Sequence, residues 1–383
     1  MNYNCSTKKR NTISVQVVCA VVFLVFSFSW LYFFQADILA MTQHVLSGGL
    51  TRYNRFLGAV IVTVSLYLVQ LLVYRIARLR RQTHALTYGP SMILLSMLTD
   101  IGQKLDTGVD IVASWRVMLV VFVVWVFMTC IALKLQEVED NSSYSLFSRP
   151  VWMNMLVMVL LMAWVAGIGN TNAVFHYRMK VEHLMANGDY EAALEVGRKS
   201  LESDNHLLML RMYALARTDG LGDHLFEYPV VGGSSVMLPT NGKTKMLMCP
   251  VVNLYRFLGA RPVGQMEPTR YLELLQRRDS VPRKVIGDYR LCGYLMDKDL
   301  DRFAKEISDH YTVNDSLPKH YREALTLYSR LRSKPLLIYH HPVMDEDYDN
   351  LLELERKYPR QTERKGKVEE HYRGTYWYYY WYE

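Results

Sequence analysis

The segment IYHHPVMDEDYDN brings His340, His341, Asp345, Glu346, Asp347 and Asp349 close together. Imidazoles suit transition metals and carboxylates suit hard cations, so both kinds of ligand are present. The spacing serves neither. The histidines are adjacent instead of one helical turn apart, and the carboxylates miss the calcium-loop pattern and its glycine. A run of this kind reads first as a solvated, acidic helix start. The stretch VVGGSSVMLPTNGKTK offers Gly232, Gly233, Ser234, Ser235 and Lys243. A phosphate-cradling loop needs G-x-x-x-x-G-K-[ST], and TNGKT lacks the first glycine at that offset. The serines lack a G-x-S-x-G elbow, so a polar turn is the plain reading. Asp37, in FFQADILAMTQHVLSGG, follows an apolar run, with His44 nearby. A carboxylate there could act as the base of an enzyme using a lipid-linked substrate, but a solvated cap is the commoner use. The five cysteines contain no CxxC. Cys249 and Cys292, alone in the second half, read as two unpaired buried thiols, with a disulfide as the alternative. No residue set predicts a metal or a cofactor.

What must position these residues is mostly membrane. The mean hydropathy of −0.01 hides a division near Asn170. Residues 1–170 hold 13 Lys and Arg against 7 Asp and Glu; the remaining 31 and 30 fall in residues 171–383. The basic excess therefore belongs to the apolar half. It reads through the positive-inside rule, and no nucleic-acid partner is expected. Uncharged or nearly uncharged runs cover residues 13–34, 56–76, 115–133 and 151–168, each near the length needed to cross a bilayer. Lys8, Lys9 and Arg10 place the N-terminus in the cytoplasm. A further run, residues 84–101, contains Pro90. If it crosses, there are five spans and the C-terminal half is extracytoplasmic; if it dips and returns, there are four. Loop charges score the two alike. A continuous helix over His84–Ile101 is the simplest way to satisfy backbone in lipid, so five spans are expected.

The second half reads as helical. In LMANGDYEAALEVGRKSLESDN, Gly188 turns the chain, and Tyr190, Ala193, Leu194, Gly197 and Leu201 form one stripe at helical spacing. Residues 171–360 are expected to form helix pairs, with Tyr190, Ala193 and Leu201 buried. The proline-rich stretch 229–268 interrupts them, with a short helix near VNLYRFLGA and a strand or two. Asp297 is expected to cap a helix carrying Leu300, Phe303, Ala304 and Ile307. Residues 361–383 read as a charged linker and an aromatic tail, Tyr376, Trp377, Tyr378, Tyr379, Tyr380, Trp381 and Tyr382. Tyr and Trp have an apolar body and a polar tip, which suits an interface. An extended segment is expected, with one row of rings on its own domain and the other facing the bilayer or a partner. Burial of the whole terminus is the alternative.

The stretch around Gly188, Tyr190 and Ala193 resembles the centre of a tetratricopeptide repeat. Over YGPSMILLSMLTD, LMDKDLDRFAKEI with LPKHYREAL, and TYWYYYWY, the chain resembles a family of uncharacterised bacterial multi-pass membrane proteins with tetratricopeptide-like C-terminal regions. The resemblance implies an all-α architecture and no particular chemistry. Three function classes follow. The first is a membrane-anchored helical-repeat scaffold of the bacterial inner membrane that binds another envelope protein or peptide in a groove. The second is the membrane enzyme with Asp37 as base. The third, a transporter, is disfavoured because the apolar runs lack Asp, Glu and Lys in their middles. The scaffold is the expected function, without catalysis.

Overall fold

Long apolar sequences with few breaks should give long helices, and they do. The computed structural model describes residues 3–79, 81–102, 115–135, 149–278 and 283–383, which are helical with no strand among them. Two compact units emerge, Met1–His176 and Tyr177–Glu383.

In the first unit, α1 (Tyr3–Ser29) ends in a π turn, Trp30–Phe34, followed by α2 (Ala36–Leu46) and α3 (Arg55–Ala77). A 3-10 helix, Arg81–Tyr88, leads into α4 (Gly89–Thr99); α5 (Trp115–Leu135) and α6 (Arg149–Ile168) follow. Four stretches are long and apolar enough to cross a membrane: Val15–Phe34, Arg55–Ala77, Trp115–Lys134 and Pro150–Ile168. Each has two faces. On α1, Val15, Cys19 and Phe23 are buried while Val17, Val21 and Val25 are exposed. The inward faces also take the polar residues: Thr63 and Gln70 on α3, Thr129 on α5 and Asn154 on α6. This reverses the usual arrangement of a water-soluble helix and suits a bundle whose surroundings are apolar.

The expected continuous helix over His84–Ile101 is not formed, and Pro90 supplies the reason. Proline has no N–H to give the carbonyl four residues back, Leu86. The Trp125 indole donates to that carbonyl instead, at 2.8 Å. Gly89 makes the approach possible, because a Cβ there would lie 2.2 Å from the Trp125 ring. The chain is therefore 3-10 before Gly89 and α after it. Asn154 Oδ1 accepts from the Ala85 N–H at 2.7 Å, and Gln70 Nε2 donates to Thr87 at 3.0 Å. Backbone of this kind survives in an apolar medium only where protein encloses it. It is enclosed: Ala85, Tyr88, Met92 and Leu95 are all buried.

Hydrogen bonds also give the direction of this broken helix. Its start meets the start of α6 at Asn154. Its end meets the end of α6, where Asn170 donates to the Thr99 and Ile101 carbonyls at 2.9 and 2.8 Å. The 8-residue 3-10 helix and the 11-residue α4 together rise roughly 32 Å, close to the hydrocarbon thickness.

The second unit comprises α7 (Ala173–Ala186), α8 (Tyr190–Glu195), α9 (Asn205–Arg217), α10 (Leu221–His224), α11 (Val251–Leu258), α12 (Pro268–Arg278), α13 (Lys284–Met296), α14 (Leu300–His310), α15 (Lys319–Leu331), α16 (Pro342–Lys357), α17 (Gln361–Tyr372) and α18 (Tyr376–Tyr382). From α12 onward each helix packs on the next. Several expectations are corrected here. The 229–268 stretch holds α11 and a 3-10 turn, Ser234–Val236, but no strand. Asp299, not Asp297, caps α14, accepting from the Arg302 N–H at 3.0 Å. Asp297 instead takes the Ser234 hydroxyl and N–H at 2.6 and 2.8 Å. The charged stretch after Arg360 is helix α17. The tail is helix α18, not an extended strand. Its N-terminus is capped by Thr375, which accepts from the Tyr378 N–H. Tyr376, Trp377, Tyr378 and Tyr379 are buried against α15 and α17, while Trp381 is 47% exposed.

Candidate binding cleft

Gly188 has φ +83 with open space around it, so backbone conformation alone calls for glycine there. Asp189 then caps α8, accepting from the Ala192 N–H at 3.0 Å. Ala193 is fully buried, and Tyr190, half-buried, sets its ring edge-on to Tyr213. The expected stripe ends there. Helix α8 stops at Glu195, Gly197 takes φ +63, and Leu201 is 61% exposed, contrary to expectation.

The cause lies in α9. Arg211, in the run LLMLRMYALA, is fully buried, and burial lowers the pKa of its guanidinium. Its Nη2 donates to the Val196 and Gly197 carbonyls at 3.3 and 3.2 Å, and its guanidinium lies 4.8 Å over the Tyr228 ring. These contacts hold the turn that follows α8, in which the Gly197 carbonyl also accepts from the Ser200 N–H at 3.0 Å. The single charged residue inside the run Leu207–Ala216 is the sequence signal for this, and hydrophobic spacing does not register it.

Beside this turn is an open cleft of about 470 Å³. Leu194 and Leu215 give it apolar wall, and Glu191, Glu195, Arg198, His224 and Glu227 give it charge. The charges are organised. Arg198 bridges Glu195 at 2.7 Å and Glu227 at 3.2 Å, and His224 Nδ1 lies 3.1 Å from Glu227. Burial opposes the charge on Glu227, but His224, Lys319 and Arg198 outweigh it and hold the carboxyl below its usual range. The cleft thus pairs an apolar strip with a fixed pattern of both charge signs.

The other sequence candidates do not line this cleft. Asp37 sits in the first turn of α2. His341 caps α16, accepting from the Met344 N–H, and His340 pairs with Asp345 at 3.4 Å. No group of three metal-binding side chains occurs among the described residues. Ser234 is held by Asp297, and Lys243 lies 3.8 Å from Glu267. Cys249 and Cys292 are buried free thiols.

Glu182, fully buried on α7, accepts from the Leu247 and Met248 N–H groups at 2.7 and 2.9 Å. It fastens a proline-rich segment that has little secondary structure of its own. Burial pushes its pKa up to about 6, against the effect of those hydrogen bonds and Arg178. The folded unit therefore holds this proton more tightly than the unfolded chain does. Stability should fall as pH rises from about 4.5 to about 6, by about 2 kcal/mol, and then level off. Thermal melts across that window should show the slope, and Glu182→Gln should flatten it. A slope unchanged in Glu182→Gln would refute the assignment.

DUF6057, a family of unknown function, matches the chain over residues 113–260 and 267–383, and the chain belongs to that family. No curated protein and no solved structure matches it.

Proposed function

We propose that this member of the DUF6057 family is a membrane-anchored helical scaffold of the bacterial cell envelope, which binds a segment of a partner envelope protein in the Glu191–Tyr228 cleft. The observation that carries the reading is the cleft itself: an apolar strip between charges held in place by the Arg198 and Glu227 pairs. The turn at Gly188 and the small buried Ala193 favour a tetratricopeptide-like ancestry for α7 and α8. The scaffold displays its C-terminal unit on the side of the inner membrane opposite its N-terminus. The run of the broken helix beside α6 along its length supports this reading, in which it serves as a fifth crossing beside the four apolar helices.

One labelling series tests both parts. Val263 is 99% exposed, so a cysteine there should react with an impermeant maleimide on intact cells. A photo-crosslinker at Leu194 should trap one partner in near-stoichiometric yield, and the same crosslinker at Val263 should not. Labelling of Val263→Cys only after permeabilisation would overturn the orientation. Identical crosslinks from the two positions would overturn the cleft.

A further inference from the structure

Beneath the Val196–Ser200 turn, Arg211 is a fully buried cation without a carboxylate partner among the described residues. Its Nε and Nη1 have no hydrogen-bond partner among the described residues. The nearby carboxylate, Asp204, is committed to capping α9, accepting from the Leu207 N–H at 2.6 Å. Removing a guanidinium from water is costly, and neutral carbonyls together with one ring face return only part of that cost. The charge lies under a second opening of about 450 Å³, lined by Tyr177, Glu195, Gly197, Arg198, Lys199 and Ser200. Lys199 is exposed there, and Arg373 approaches from the other side, donating to the Ser200 carbonyl at 3.4 Å. Four cations, Arg198, Lys199, Arg211 and Arg373, thus lie about the turn; of the carboxylates near them, Glu195 and Glu227 are paired with Arg198 and Asp204 caps α9.

We propose that the Val196–Ser200 turn binds a phosphate group. Lys199 supplies the direct donor at this second opening, and the Ser200 hydroxyl, now in a long 3.5 Å contact with the Glu202 carbonyl, can turn to add another. Arg211 acts from beneath: low-dielectric walls carry its field to the turn with little screening. Gly197 keeps the turn low. Its φ of +63 disfavours any other residue, and a Cβ would lie 2.8 Å from the Tyr177 ring. A tetrahedral oxyanion can engage several such donors at once, which favours phosphate over a carboxylate. A lipid headgroup and a soluble phosphate compound both present this group, and the chemistry of the site is the same for either. The proposal goes beyond the partner-binding reading, because phosphate supplied alone is enough to test it.

The test is thermal unfolding of the full chain in neutral detergent, with inorganic phosphate against chloride at equal ionic strength. At phosphate tenfold above its Kd the melting temperature should rise by about 3–6 °C. In nanodiscs, phosphatidylglycerol against phosphatidylcholine should give a similar rise if the headgroup is the source. Arg211→Met, which keeps the packing and removes the charge, should melt no lower than the parent and lose the response. Lys199→Gln, on the surface, should weaken phosphate binding at least about threefold, and it remains informative if Arg211→Met fails to fold. No response to either phosphate or phosphatidylglycerol, or a full response in Lys199→Gln, would overturn the proposal.

Discussion

Deleting Tyr376–Glu383 should abolish cooperative unfolding of the C-terminal unit. Four rings, Tyr376, Trp377, Tyr378 and Tyr379, would leave the core. Each contributes about 1.5–3 kcal/mol on burial, so together they approach the whole stability of an ordinary domain. The deletion would also orphan buried groups. Glu323, 2% exposed on α15, accepts from the Tyr376 N–H and, through its backbone carbonyl, from the Trp377 indole, both at 2.7 Å. His320 Nδ1 contacts the same carboxylate at 2.8 Å. The Met296 carbonyl would lose the Tyr379 hydroxyl. Buried acceptors left without partners add to the loss. A graded comparison separates packing from surface roles. Trp377→Ala should cost about 3–5 kcal/mol and lower the melting temperature by about 6–20 °C. Trp381→Ala, at a ring 47% exposed, should change it little. Circular dichroism melts give both values. A truncated protein that melts normally but no longer binds vesicles would show that the tail works at a surface instead.

The second large effect is expected at Gly89. Replacing it with alanine puts a methyl group 2.2 Å from the Trp125 ring, inside any tolerable contact. The indole cannot yield without releasing the Leu86 carbonyl, which Pro90 leaves without its usual donor. An unsatisfied carbonyl in an apolar bundle costs several kcal/mol. Gly89→Ala should therefore sharply reduce the monodisperse fraction recovered in mild detergent. Gly167→Ala on α6 is the control, because a Cβ there meets nothing within 4 Å. Equal recovery of the two variants would refute the close contact between Gly89 and Trp125.

The sequence by itself determined the class of this protein. Runs such as Phe56–Ile76 and Val151–Ile168 are too long and too apolar for anything but buried or lipid-facing helix, and the length of an element is a local property. Gly188 and the 3.6-residue stripe of α14 were legible for the same reason. Where the chain departs from its local pattern, the cause lies far away in sequence. Leu201 should have continued the stripe begun by Tyr190, but the chain turns at Gly197, with φ +63, and buried Arg211 on α9 holds that turn through the Val196 and Gly197 carbonyls. The segment from His84 to Ile101 should have been one helix, but Trp125 and Asn154 satisfy its backbone and let it break. The aromatic tail shows no period that hides one face, either as a strand or as a helix. As a helix it buries four rings, because Glu323 and Met296 wait with acceptors more than fifty residues away. Hydrophobic period follows from neighbours along the chain. The fate of a buried polar group depends on partners that only folding brings within 3 Å.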